Sequence, residues 1–85
     1  MKHAGPDALD ALEDLLAKLR ALPALKEKSR GCFYTKSSAF LHFHEDPEGL
    51  FADAKLDGRE FTRVRVSSAR ERAAFLREVA RALAG

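Results

Sequence analysis

His42-Phe43-His44 sets two imidazoles two residues apart, the spacing that puts both on one side of a β-strand. Asp53 stands in the next apolar run. Neutral imidazole and carboxylate are good ligands for first-row transition metals, so His42, His44 and Asp53 form a candidate metal-binding set. His42 and Asp53, with the single cysteine Cys32, also supply the residue types of a base, an orienting carboxylate and a nucleophile. Geometry argues against that triad. Neighbouring strands stand ~4.8 Å apart, and a flat sheet face offers neither oxyanion donors nor a water-excluding pocket. Phe40, Phe51 and Phe61, with Tyr34, Lys55, Arg63 and Arg65, are the residue types on which sheets stack single-stranded nucleic acid. The aromatic-and-glycine signature of an RNA-recognition sheet is missing, however, and the acidic loop Glu45-Asp46-Pro47-Glu48 would repel phosphates, so nucleic acid is not the expected partner. No glycine-rich phosphate loop, dinucleotide fingerprint, His-Glu-x-x-His or Gly-x-Ser-x-Gly occurs, so neither catalysis nor a cofactor is expected.

The chain that must position these residues has 85 of them, 46% apolar and 33% charged, which is the size of one domain (1–85) and too apolar for disorder. No apolar stretch is long enough to span a membrane. One cysteine excludes an intramolecular disulfide framework. A net charge of +2 says little about partners, and its distribution says more. Residues 1–22 carry −1, 23–38 carry +3, 39–58 carry −4 and 59–85 carry +4, a mixed surface without a basic block. The opening Met1-Lys2-His3-Ala4-Gly5-Pro6 has no apolar segment after its lysine, so no signal peptide is read and a cytoplasmic location is expected.

Leu9, Leu12, Leu15, Leu16, Leu19 and Leu22 recur at helical spacing and predict a helix over roughly 7–22, opened by Pro6 and Asp7 and ended by Pro23. Residues 23–31 read as a connector. From Cys32 to Val66 the period changes to two, in the runs Cys32–Thr35, Ala39–His44, Leu50–Leu56 and Glu60–Val66. Ser68 and Glu71 have capping-box spacing and predict a last helix over 68–83. Its apolar stripe is Ala69, Ala73, Leu76, Ala80 and Leu83, widened by Phe75 and Val79. The order α-β-β-β-β-α implies a two-layer α+β domain: a three- to four-stranded antiparallel meander with both helices on one face.

Alternation along the strands divides them into two faces. Leu41, Phe43, Ala52, Ala54, Leu56, Val64 and Val66 belong under the helices. Phe40, His42, His44, Phe51, Asp53, Lys55, Phe61, Arg63 and Arg65 belong to the open face. Opposed residues share a face if Lys36–Ser38, Glu45–Leu50 and Asp57–Arg59 are the turns, and a row Cys32–His42–Asp53–Arg63 then crosses the sheet. In that register Asp53 holds His42 and should raise its pKa above about 6.5, with Arg63 competing for the carboxylate.

The segment from Gly31 to Asp53 resembles the central block of a group of short, uncharacterised bacterial proteins. Phe33-Tyr34, Ala39 to Pro47 and Gly49 to Asp53 carry the likeness, which extends loosely to Phe75. The resemblance implies one small cytoplasmic α+β domain and supplies no activity or ligand. Apolar groups ringed by charge mark interaction sites, so the leading expectation is a non-catalytic binding protein. It would self-associate as a homodimer or dock a protein partner through Phe40, Phe51, Phe61, Arg63 and Arg65. The alternatives are a metal or ligand site at His42, His44 and Asp53, and single-stranded nucleic-acid binding on the same face.

Overall fold

The computed structural model describes residues 1–85 and has α+β architecture: an antiparallel sheet with helices on one side. The elements are β1 (Lys2–His3), α1 (Pro6–Ala11), α2 (Glu13–Arg20), β2 (Lys26–Ser29), β3 (Cys32–Thr35), β4 (Ser38–Asp46), β5 (Gly49–Ala54), β6 (Thr62–Arg65) and α3 (Ala69–Ala84). The sheet runs β2-β3-β4-β5-β6, and β1 pairs with the end of β4 that β3 leaves free. Six strands thus replace the three or four expected. No helix is long and apolar enough to cross a membrane.

The helix expected over 7–22 is present as α1 and α2, jointed at Leu12. The hydrogen-bond ladder runs through the joint, with Leu12 N–H donating to Ala8 O at 3.1 Å and Leu16 N–H to Leu12 O at 2.9 Å. Leu12, Leu15, Leu16 and Leu19 are buried against Phe33, Leu41, Phe43, Ala52 and Ala54 of the sheet and Phe75 and Val79 of α3. In α3 the buried line is Phe75 and Val79, while Ala69, Ala73 and Ala80 are exposed. The apolar face is therefore turned from the expected stripe, because two large side chains bury more area than three alanines.

β2 was expected to be a connector, since Lys26-Glu27-Lys28-Ser29 has no apolar residue. It is an edge strand, where charge is tolerated and discourages pairing with another chain. Ion pairs tie it and its turn to the helices: Arg20 bonds Glu27 and Glu13, and Arg30 bonds Asp10 and Glu13, the last two at 2.8 Å.

The β4–β5 register is the expected one, His42 facing Asp53 and His44 facing Phe51, although pairing continues to Asp46–Gly49 and tightens the turn to Pro47-Glu48. β5–β6 likewise sets Asp53 against Arg63, with Asp57 Oδ1 accepting from Arg59 and Glu60 N–H groups in the connecting loop. β3–β4 differs. Thr35 faces Ser38 across a two-residue turn with Lys36 at φ 52°, and a bulge then brings Phe33 opposite Leu41. The bulge lets the neighbours Phe40 and Leu41 both be buried in the core, Phe40 beside Ala82 and Leu83 of α3. Phe40 is therefore a core residue and not part of the open face.

Gly49 closes the β4–β5 hairpin at φ +137°, and a Cβ there would stand 2.3 Å from Ser67 Oγ. That hydroxyl accepts the Leu50 N–H at 2.9 Å, so the close approach locks the hairpin to the entry of α3.

The capping box of α3 is complete. Ser68 Oγ accepts the Glu71 N–H at 3.1 Å, and Glu71 Oε1 accepts the N–H groups of Ser68 and Ser67 at 2.9 and 3.0 Å. The Ser68 amide, then the Arg65 guanidinium, hold the Glu71 carboxyl below its usual value of 4.5. A depressed folded pKa gives stability that is present above the unfolded value and lost as pH falls through the folded one. Glu71→Gln keeps the acceptor but removes the charge. Urea unfolding should therefore show a shallower loss of stability below about pH 4.5 in Glu71→Gln than in wild type. Equal slopes in the two proteins would refute this role for the carboxylate.

Candidate metal centre

β4 presents His42 and His44 on the face away from the helices because Leu41 and Phe43, between and before them, fill the core. β5 adds Asp53 directly opposite His42, and β6 adds Arg63 opposite Asp53. The ligand atoms of His42, His44 and Asp53 all lie within 4.8 Å of one another. Asp53 Oδ2 stands 3.5 Å from His42 Nε2 and 3.2 Å from His44 Nε2.

Asp53 is 8% exposed and its carboxylate is already engaged. Arg63 donates from Nε to Oδ1 at 2.8 Å and from Nη2 to Oδ2 at 2.9 Å, a two-pronged grip that holds the carboxyl below 3.8. His44 is 9% exposed, and neither of its ring nitrogens has a hydrogen-bond partner. Its 3.2 Å approach to Oδ2 lacks the alignment of a hydrogen bond. His42 makes none to Asp53 either, with its Nε2 3.5 Å from Oδ2. The expectation that Asp53 would raise the His42 pKa is overturned: burial lowers it, and His44, His3 and Arg63 push the same way against the Asp53 charge. Both imidazoles therefore sit beside a carboxylate without being its partners.

The rest of the expected face is partly dismantled. Phe61 is 43% exposed and meets His42 edge-on at 4.9 Å, with Lys55 Nζ 5.2 Å above its ring. Phe51 is half-buried beside His44 and Arg65. Arg65 reaches away to Glu71 and the Glu48 carbonyl. Cys32 lies in β3 with its thiol free, and its pairing stops short of His42.

His3 is the residue that sequence spacing could not place. β1 sets it directly opposite His44, and its ring stacks on that of His44 with centroids 4.7 Å apart and planes at 28°. His42 lies 5.8 Å away on the same patch. A strand of two residues has no period to detect, so only the histidine itself was a signal.

Comparison of the chain with protein-family models, curated proteins and solved structures finds no match in any of the three.

The Asp53–Arg63 pair is asymmetric, with a nearly buried acid and a base whose side chain is 48% exposed. Asp53→Asn leaves Arg63 free to return to water and should cost about 1 kcal/mol. Arg63→Ala leaves a desolvated carboxylate without its guanidinium and should cost more. Urea unfolding at pH 7 of the two single variants checks the order. The reverse order would mean that Asp53 is hydrated and the pair is an ordinary surface contact.

Proposed function

We propose that the chain is a small non-catalytic binding protein whose ligand is a divalent transition-metal ion held by His42, His44 and Asp53. The observation that carries this reading is a distance match. Zinc bonds to nitrogen and oxygen of about 2.0–2.2 Å at tetrahedral angles put neighbouring ligand atoms about 3.4 Å apart. Two of the three separations in the set match, 3.5 and 3.2 Å from Asp53 Oδ2 to the two Nε2 atoms, and the third lies within 4.8 Å. A structural imidazole in so buried a place would instead donate to a carbonyl or carboxylate, and His44 donates to nothing. Arg63 is compatible with the ion. Its Nη2 would yield Oδ2, and its Nε would keep Oδ1, as a donor behind a ligating carboxylate commonly steadies it.

An ion fits this surface better than an organic ligand does. The cavities of the fold lie between α2 and α3 and around the C-terminal end of α3, and none borders His42, His44 or Asp53. A patch for protein docking is also reduced, with Phe40 in the core and Phe61 the one large apolar side chain of this face that is exposed.

Thermal unfolding with added ions is the test. At a hundredfold excess over its Kd, an ion stabilises by about 2.7 kcal/mol, which raises Tm by about 10–20 °C in a domain of this size. Zinc or nickel should do this, magnesium should not, and His44→Ala should abolish it. Cobalt(II) should show the visible absorption of a tetrahedral site. A Tm unmoved by zinc and nickel, or moved equally by magnesium, overturns the reading.

A further inference from the structure

β1 is the least secured strand of the sheet. It pairs with β4 over Lys2 and His3 alone, both exposed. Two bonds beyond the strand complete its attachment: Ala4 N–H donates to Phe43 O at 3.0 Å, and Gly5 N–H to Glu45 Oε2 at 2.6 Å. Yet this short strand delivers a third imidazole to a patch that already holds two. Stacking does not account for that choice, since an aromatic pair contributes only about 0.5–1.5 kcal/mol and a hydrocarbon ring would serve as well. Three imidazoles around one carboxylate are instead the donor set of a four-coordinate transition-metal site.

We infer that His3 is the third imidazole ligand of the ion site at His42, His44 and Asp53, so that the bound ion fastens β1 onto β4. This rests on the metal reading above and adds to it the ligand that completes the set and a mechanical consequence. Directly opposed residues of an antiparallel pair have Cβ atoms about 5 Å apart. Histidines one helical turn apart, at a similar Cβ separation, share a single zinc. His3 and His44 are such an opposed pair. The exposed His3 ring can leave its stack on His44 by turning about its side-chain bonds, whereas His44 is held by strands on both sides and His42 by its pairing with Asp53 of β5.

Linkage makes the idea quantitative. If the ion binds β1-closed protein more tightly than β1-open protein by some factor, saturation with the ion must stabilise closure by that same factor. Two independent measurements must therefore agree. The first is zinc titration by calorimetry of untagged wild type and His3→Gln, whose substituted side chain is exposed and outside the core. Loss of the ligand should weaken zinc binding at least about tenfold. The second is amide exchange at Ala4 and Gly5, whose N–H groups bond β4, with and without saturating zinc. Protection in wild type should rise by about the factor lost in His3→Gln, and in His3→Gln it should not rise. Equal zinc affinities for the two proteins overturn the role of His3 and leave the three-residue site standing. A weaker His3→Gln without the matching protection of Ala4 and Gly5 overturns the fastening. Wild type that binds no zinc overturns both the site and its completion.

Discussion

β4 is the strand against which the rest of the sheet is assembled. Along one edge it pairs with β5 from Leu41 to Asp46, and its other edge is divided between β3 and β1. Its alternation decides the fate of every neighbour. Leu41 and Phe43 must lie under the helices, so His42 and His44 must lie outside, and opposed residues follow them to one side or the other. Ala52 and Ala54 are drawn under the helices, while Phe51 and Asp53 are drawn out with the histidines. A slip of one residue would bury two imidazoles and expose a phenylalanine and a leucine. The cost of that exchange makes the register firm, and with it the position of Asp53.

Those parts of the fold that rest on periodicity were legible in the sequence. The leucines of α1 and α2, the capping box of α3 and the hairpins β4–β5–β6 each carry a repeating pattern or a local turn chemistry. The His42–Asp53–Arg63 row followed from them even though the turns proved shorter or longer than drawn. Such errors at a hairpin's end leave its register intact when strand lengths change equally on both sides. The β3–β4 bulge is different in kind. One extra residue between Phe33 and Thr35 pairings reverses the side of Phe40, and no residue in Ser38-Ala39-Phe40-Leu41 announces it. β2 was hidden because an edge strand held by Arg20 and Arg30 ion pairs needs no apolar face, and β1 because two residues have no period.

The electrostatics were misjudged for a related reason. A carboxylate opposite an imidazole raises its pKa on balance only if its charge outweighs the burial of the ring. Arg63 has a planar fork that matches both oxygens of Asp53, and it outcompetes a ring nitrogen that offers one bond. Burial outweighs the Asp53 charge at His42, with His44, His3 and Arg63 on the side of burial, and favours the uncharged ring.

An uncharged imidazole, the form that burial favours at His42, is also the form that the proposed ion would use. A buried imidazole nitrogen without a partner costs about 1–3 kcal/mol, and His44 has two of them. A metal ion bound as proposed would use the nitrogen lone pair directly and take Asp53 Oδ2 at the same time. Arg63 limits the gain, since its positive charge stands one carboxylate away from the ion. Oxygen-seeking divalent ions would meet the same repulsion and gain less from the imidazoles to offset it. In the proposed site, the ions that would tolerate it are those for which nitrogen is a strong ligand, so Arg63 would narrow the range of ions bound there.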